Sequence, residues 1–287
     1  MSLRLHEFAH RIAALGAIEE IVAAMRSLAF VELRRLAEII GHERETLAAR
    51  ERAIVELLAH HPQPLPVAPD GDGEVVLAIG SERGFCGDFN AQVVAALKRL
   101  PDHGRRLAVG VRLASAVADE GIVAETVAGA TVSDEVPRVL QAIARALGGD
   151  GTARAAISGL VILHHDSDGE LGCVRLLPSP APPRQPEPRS RLRLTLPPQA
   201  LFLELMDQYL LGRLNAALLA SLHAENRRRL EHTGAAIDRL DRELDGVQRQ
   251  RRRARQEAIT QEIEVMLLGS QDASASLQAA GEPIGAC

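Results

Sequence analysis

Apolar residues recur at helical spacing at both ends of the chain. Leu5, Phe8, Ile12, Leu15, Ile18, Ile21, Met25 and Leu28 step by three or four positions, which predicts one side of an amphipathic helix. Further on, Leu230, Ile237, Leu240, Leu244, Val247, Ala254 and Ala258 keep a heptad step, with Thr233 and Arg251 in the two vacant seam positions. All fifteen prolines fall outside residues 1–61 and 199–282. An interior proline removes a helix hydrogen bond, so both windows read as long helices. Pro62, Pro64, Pro66 and Pro69 end the first, and Pro197 and Pro198 open the second.

At 1.5 Å per residue these helices would reach about 80 and 100 Å. A compact domain of this length has a radius of gyration near about 19 Å, so the helices must project. A projecting apolar stripe needs a partner, and the nearest is the other helix, antiparallel.

Between the helices the period shortens. "EVVLAIG" (74–80), "RLAVGV" (106–111), "ISGLVILHH" (157–165), "GCVRLLP" (172–178) and "RLRLTLP" (191–197) read as strands. Helical stretches are expected at about 89–100, 112–120 and 133–147, giving βαβ alternation and a parallel or mixed sheet. The proline-rich run at 178–190 reads as a stiff exposed loop. The expected fold is α/β: a small Rossmann-like central domain carried on an antiparallel coiled coil of the two terminal helices. The expected domains are residues 1–61, 62–198 and 199–287.

Composition narrows the function. With 2% aromatic residues and no Trp, a core of ordinary size must be built from Leu, Val, Ile and Ala, which suits helix-on-helix seams. A net charge of −5 argues against a dedicated nucleic-acid binder. Cys86, Cys173 and Cys287 are an odd number at wide separations, so a disulfide framework is not expected and a reducing compartment is. Neither a signal-peptide core nor an 18-residue apolar run occurs, which reads as a cytosolic chain.

"SERGFCGDFN" (81–90) sits between an apolar strand and a helix, where α/β proteins keep phosphate loops or nucleophiles. It is not a Walker A loop, which needs a lysine; Lys98, the only one, follows Leu97. The spacing of Gly84 and Gly87 also fails the dinucleotide fingerprint. A catalytic Cys86 would need a base from His60, His61, His164 or His165, and no spacing ties one to it. The alternative is a buried thiol in a tight turn, with Gly84 and Gly87 supplying positive φ. "HHDSD" (164–168) carries metal-ligand residue types, but adjacent histidines on a strand point to opposite faces, so a solvated turn is expected. The run "RQRRRARQ" (249–256) points its arginines almost all round a helix, as suits a rod enclosed by acidic surfaces; a solvated face is the alternative.

Four stretches resemble the gamma subunit of the F-type ATP synthase. The decapeptide is similar to S-D-[RK]-G-L-C-G-x-[FY]-N, with Glu82 and Phe85 as departures. Residues 254–273 match A-R-Q-x-x-I-T-x-E-[IL]-x-E-I-x-x-G-A at Ala254, Arg255, Gln256, Ile259, Thr260, Glu262, Ile263 and Gly269. Residues 11–25 match the N-terminal signature at Arg11, Ile12, Ile21, Ala24 and Met25, and residues 207–226 resemble its Y-[IL] plus S-x-x-[SA]-E stretch. Val22 and Ala23 depart from the usual Thr and Lys, and Arg251 and Arg252 from the usual Tyr-Asn, which suggests a divergent branch such as the sodium-type second ATPases.

The resemblance implies a non-catalytic rotor, without cofactor, metal, small-molecule substrate or nucleic acid. Its partners would be the alpha and beta subunits, the epsilon subunit and the membrane c-ring, on the cytoplasmic face of a bacterial inner membrane. By carry-over, Met25, Arg255, Gln256 and Thr260 would contact beta, and Gly84, Cys86 and Gly87 would form a structural turn in the globular foot. A stand-alone coiled-coil scaffold and a Cys86 enzyme are the alternatives.

Overall fold

The computed structural model describes residues 2–61, 73–101, 104–148, 157–177 and 193–279, with side chains from residue 4 to 267. Cys287, the proline-rich run at 178–190 and Pro62 to Pro69 lie outside the described residues. The order of elements is α1 (Ser2–His60), β1 (Glu74–Ile79), α2 (Phe89–Leu97), β2 (Arg105–Val109), α3 (Val111–Asp119), β3 (Glu125–Val127), α4 (Val136–Gly148), β4 (Gly159–His165), β5 (Leu171–Leu177) and α5 (Pro198–Ala279). Pro198 opens α5, where a missing N–H leaves no helix bond unmade.

The chain forms two compact units: residues 1–25 with 234–287, and residues 26–233. In the smaller unit Val22 and Val247 are buried, and Arg11 pairs with Glu243 at 2.6 Å. The expected stripe is corrected here. Ile18, Ile21 and Leu28 are exposed, and Val22 is buried instead. Steps of three from Leu15 to Ile18 to Ile21 run ahead of the 3.5-residue seam, whereas the heptad Phe8, Leu15, Val22 stays on it. In the C-terminal helix the heptad holds: Thr233 and Val247 are buried, the other apolar members half-buried, and only Arg251 faces water.

The larger unit holds a five-stranded sheet in the order β3-β2-β1-β4-β5. Its first four strands are parallel, and β5 runs antiparallel to β4. One face packs on α2 and α3 through Val93, Val94, Leu97, Leu113 and Val117. The other packs Val75, Leu77, Ile79 and Ile162 against α4, Leu36 of α1, and Leu214, Leu218 and Leu222 of α5. Helices on both faces explain why β1 is almost continuously apolar.

Within this unit the long helices run antiparallel. Ile54 and Leu57 pack on Phe202, and a Cβ placed on Gly212 would lie 3.4 Å from Leu47 and 2.4 Å from Arg50. A side chain there would have to displace the Arg50 guanidinium.

Two expectations about strands fail. Residues 193–197 form no strand, although "RLRLTLP" alternates; Leu194 instead packs with Ile54, Leu57 and Phe202 at the base of the helix pair, and Pro197 could not donate to a ladder. One edge strand of the sheet, β3, has only three residues, too few for alternation to show.

Candidate functional site

The parallel strands end at a crevice. Strand order reverses between β1 and β4, the point at which open α/β sheets hold ligands beyond the carboxyl ends of their strands. Two loops frame it: residues 80–88 after β1 and the turn 166–170 after β4.

The first loop is a tight turn held by buried hydrogen bonds. Ser81 is fully buried; its N–H donates to Asn90 Oδ1 at 2.9 Å, and Asn90 Nδ2 donates to Ser81 Oγ at 2.7 Å. Cys86 Sγ donates to the same hydroxyl at 3.3 Å. Gly87 has φ 62°, but the other left-handed residue is Phe85 (φ 64°), not Gly84. That corrects the expectation for Gly84. A bulky residue in this conformation is uncommon and must be held there by its surroundings.

The turn after β4 is an Asx turn in which Asp166 Oδ1 accepts the N–H groups of Asp168 and Glu170, both at 2.9 Å. The two histidines before it diverge as expected, but the expectation of a solvated turn is corrected at His165. His165 is buried and stacks on Phe89 with ring centroids 3.9 Å apart. Its Nε2 donates to Gln92 Oε1 at 3.3 Å, and Gln92 Nε2 donates to Asp88. Its Nδ1 finds no partner among the described residues. Those residues contain no cluster of three or more His, Cys, Asp or Glu that would hold a metal.

What occupies the crevice is α5. Glu225 is buried and ion-paired with Arg229 one turn on, and it accepts N–H groups from Glu82 and Arg83. Arg229 donates to Gly84 O at 3.3 Å and to Asn226 Oδ1 at 2.9 Å. Arg228 pairs with Asp88 at 3.4 Å. Across the crevice, His223 donates to the Ser167 carbonyl and Arg227 to Asp168 O at 3.3 Å. Ala224 packs on Cys86 and Phe89. The place where a Rossmann-like sheet receives a phosphate is filled by a carboxylate and a guanidinium of the protein's own helix.

The electrostatics suit a fixed joint. Burial pushes the Cys86 thiol up, so it is not a poised thiolate, and no imidazole is among its hydrogen-bond partners. His60 lies at the end of α1 with Nδ1 on Glu56 O. Burial drives the Glu225 carboxyl up to about 7 despite Arg229 and its two amide donors.

Burial also holds His165 down to about 4, with Arg228 adding to the effect. Above its ordinary value of 6.5 the ring is neutral in both states and contributes no pH dependence. As pH falls from 6.5 towards 4 the unfolded chain takes up a proton that the folded one refuses, so stability is lost in that window. Glu225 works in the opposite sense, since its raised carboxyl favours folding below its unfolded value and loses that contribution as pH rises through about 7. Urea unfolding at pH 7.5 and 4.5 separates them: His165→Phe should show an acid loss smaller than wild type by about 2–3 kcal/mol. Equal losses would place the imidazole in water.

The sequence was blind to Glu225 and Arg229. A Glu-Arg pair at i, i+4 reads as a solvated helix face, and only the resemblance of residues 207–226 to a family stretch ending in Glu hinted otherwise. The carried-over contact residues lie in the smaller unit. Met25 is half-buried, and Arg255, Gln256 and Thr260 are exposed; Thr260 Oγ1 donates back to Gln256 O at 3.0 Å. Arg249, Arg251, Arg252, Arg253 and Arg255 are all exposed, as the all-round pattern requires.

A family model described as ATP synthase matches residues 4–271. The chain belongs to the gamma family of the F-type ATP synthase. Members of this family are structural, non-catalytic central-stalk subunits of a peripheral membrane-associated complex, which sets aside both the free-standing scaffold and the Cys86 enzyme. Among curated proteins no sequence matches significantly. Solved structures share the fold. A chain in the rotor of the Euglena gracilis mitochondrial ATP synthase is 14% identical with TM-score 0.60, over 90% of this chain and 100% of that one. One in the OSCP/F1/c-ring assembly of the same enzyme gives 14% and 0.62 over all of both chains. One in the Tetrahymena thermophila mitochondrial central stalk and c-ring gives 16% and 0.51 over 75% of this chain and 99% of that one. Among the described residues no helix of this gamma-family chain is long and apolar enough to cross a membrane.

Proposed function

We propose that this chain is the rotor of a bacterial F-type ATP synthase, turning inside a ring of three alpha and three beta subunits on the cytoplasmic face of the inner membrane. The α/β part would lie beside an epsilon subunit and the c-ring. Residues 1–61, 62–198 and 199–287 are the proposed working segments. The observation that carries this reading is the surface of the smaller unit. Ile259, Ile263, Val265, Met266 and Leu267 of α5 are exposed, directly after the arginine-rich run. Exposed apolar side chains of that number mark a surface that another protein covers.

An off-axis rod presents a different face to each beta subunit. Identical subunits then bind nucleotide unequally, because each state is favoured only by its own differential contact energy. Met25, Arg255, Gln256 and Thr260 are the proposed contacts with beta, where charge-assisted bonds to acidic groups are the stronger kind. Purification with native partners tests the assembly: co-elution with alpha and beta at three to three to one supports it, and elution alone overturns it.

Replacing Arg255 and Gln256 together should lower ATP turnover of the reconstituted complex about tenfold, the factor equivalent to one charge-assisted hydrogen bond. Unchanged turnover removes both from the contact set.

A further inference from the structure

A rotor must resist slip wherever its globular part grips its helices. Resting on the rotor reading above, we propose that Glu32, Glu82, Glu225 and Arg229 form the joint that carries torque between the α/β part and both long helices.

The four residues lie in the larger unit and are linked through the loops at the strand ends. On the α5 side, Glu225 accepts the amides of Glu82 and Arg83, and Arg229 donates to Gly84 O. From the same loop, the Glu82 side chain accepts Val111 N at 3.0 Å and Gly129 N at 2.7 Å, tying together the segments that follow β1, β2 and β3. Next, Glu135 accepts both the N–H and the hydroxyl of Thr131, at 2.7 and 2.8 Å, and so folds the segment that precedes α4. On the α1 side, buried Glu32 accepts Ser133 N at 2.6 Å, and Arg35 grips Asp134 with two bonds of 2.6 and 3.0 Å. An uninterrupted polar path therefore runs from one long helix to the other through the loops.

Beyond these and the bonds of His223, Arg227 and Arg228 to the neighbouring loops, the helices meet the sheet without such directionality. Leu36, Leu214, Ala217, Leu218 and Leu222 meet the sheet through aliphatic contact, which is proportional to area and nearly indifferent to a small rotation. Carboxylate-to-amide bonds weaken steeply when they are misaligned. Two grips on two separate helices also oppose rotation as a couple, which one grip cannot do. Buried ionic groups are best attested as devices that fix register rather than as net stabilisers.

The test uses the complete complex in vesicles, comparing wild type with Glu225→Met plus Arg229→Met, with Glu32→Met and with Glu32→Gln. Apolar replacement of the whole Glu225–Arg229 pair is often neutral for stability and Glu32→Met removes one buried hydrogen bond, so assembly and the ATPase of the detached soluble sector should persist. Ion uptake per ATP hydrolysed, read with a proton-sensitive dye and with radioactive sodium, should fall about tenfold in the methionine variants, the factor that matches loss of one charge-assisted bond. Glu32→Gln, which keeps an acceptor oxygen, should retain most uptake. Wild-type uptake in the assembled methionine variants overturns the joint. Should those variants fail to assemble, hydrogen exchange in the wild-type complex decides. The amides of Val111, Gly129 and Ser133 stay protected during turnover if the joint bears load, and loss of their protection overturns it. A wild-type chain that supports no ATPase with alpha and beta would instead defeat the rotor reading itself.

Discussion

Glu225→Ala should destabilise the fold by about 3–5 kcal/mol, because it leaves Arg229 buried without its counter-charge and frees two amides. Arg229 is 6% exposed, so water cannot reach it to compensate. Urea titration followed by far-ultraviolet circular dichroism measures the loss. Changing both partners to methionine should restore most of it, since no charge then remains in the interior. A Glu225→Ala protein that unfolds at the wild-type midpoint would show that α5 does not sit in the crevice.

Gly110→Ala should rank close behind, at about 3 kcal/mol or more. Gly110 takes φ 107° and ψ 125° at the end of β2, a conformation that L residues with a Cβ rarely adopt. Its absent side chain faces only backbone: a Cβ would lie 2.6 Å from Ser81 O, 2.8 Å from Ser81 C and 2.9 Å from Gly80 O. None of these is a flexible end that can swing aside. Relief would move Ser81, whose hydroxyl receives both Asn90 and Cys86, so the turn would loosen with the strand. Gly121→Ala is the control. It has φ 71° and nothing within 4 Å of its Cβ, so only the left-handed strain of about 1–2 kcal/mol should appear. Equal losses in the two variants would mean that the contact with Ser81 is absent.

The long helices were legible because proline is excluded from both windows and a heptad survives over several turns. Strands β1, β2 and β4 were legible because both their faces are covered. Where sequence reasoning failed, a short-range signal competed with a long-range contact. "RLRLTLP" alternates as a strand does, yet Leu194 is claimed by the helix pair. Ile18 and Ile21 extend a run of apolar residues, yet the seam turns away from them, because periodicity says which residues share a side but not which side meets the partner.

The segment 81–90 was legible as a tight turn between strand and helix, but what holds it was not. Glu32, Glu225 and Arg229 are three charges on otherwise unremarkable helix turns, and only the fold brings them to the strand ends. Phe85 in place of Gly84 as the left-handed residue could not be read either, since a bulky side chain gives no advance sign of accepting that conformation.

The helix seated on the loops that follow β1 and β4 makes the sheet's ligand part of its own chain. A diffusible molecule in such a cleft comes and goes with its concentration, whereas a tethered occupant is present at an effective concentration set by the chain that carries it. Metabolite levels can then rise and fall around the protein without emptying that cleft. A machine part inherits constancy from an architecture that elsewhere serves as a sensor.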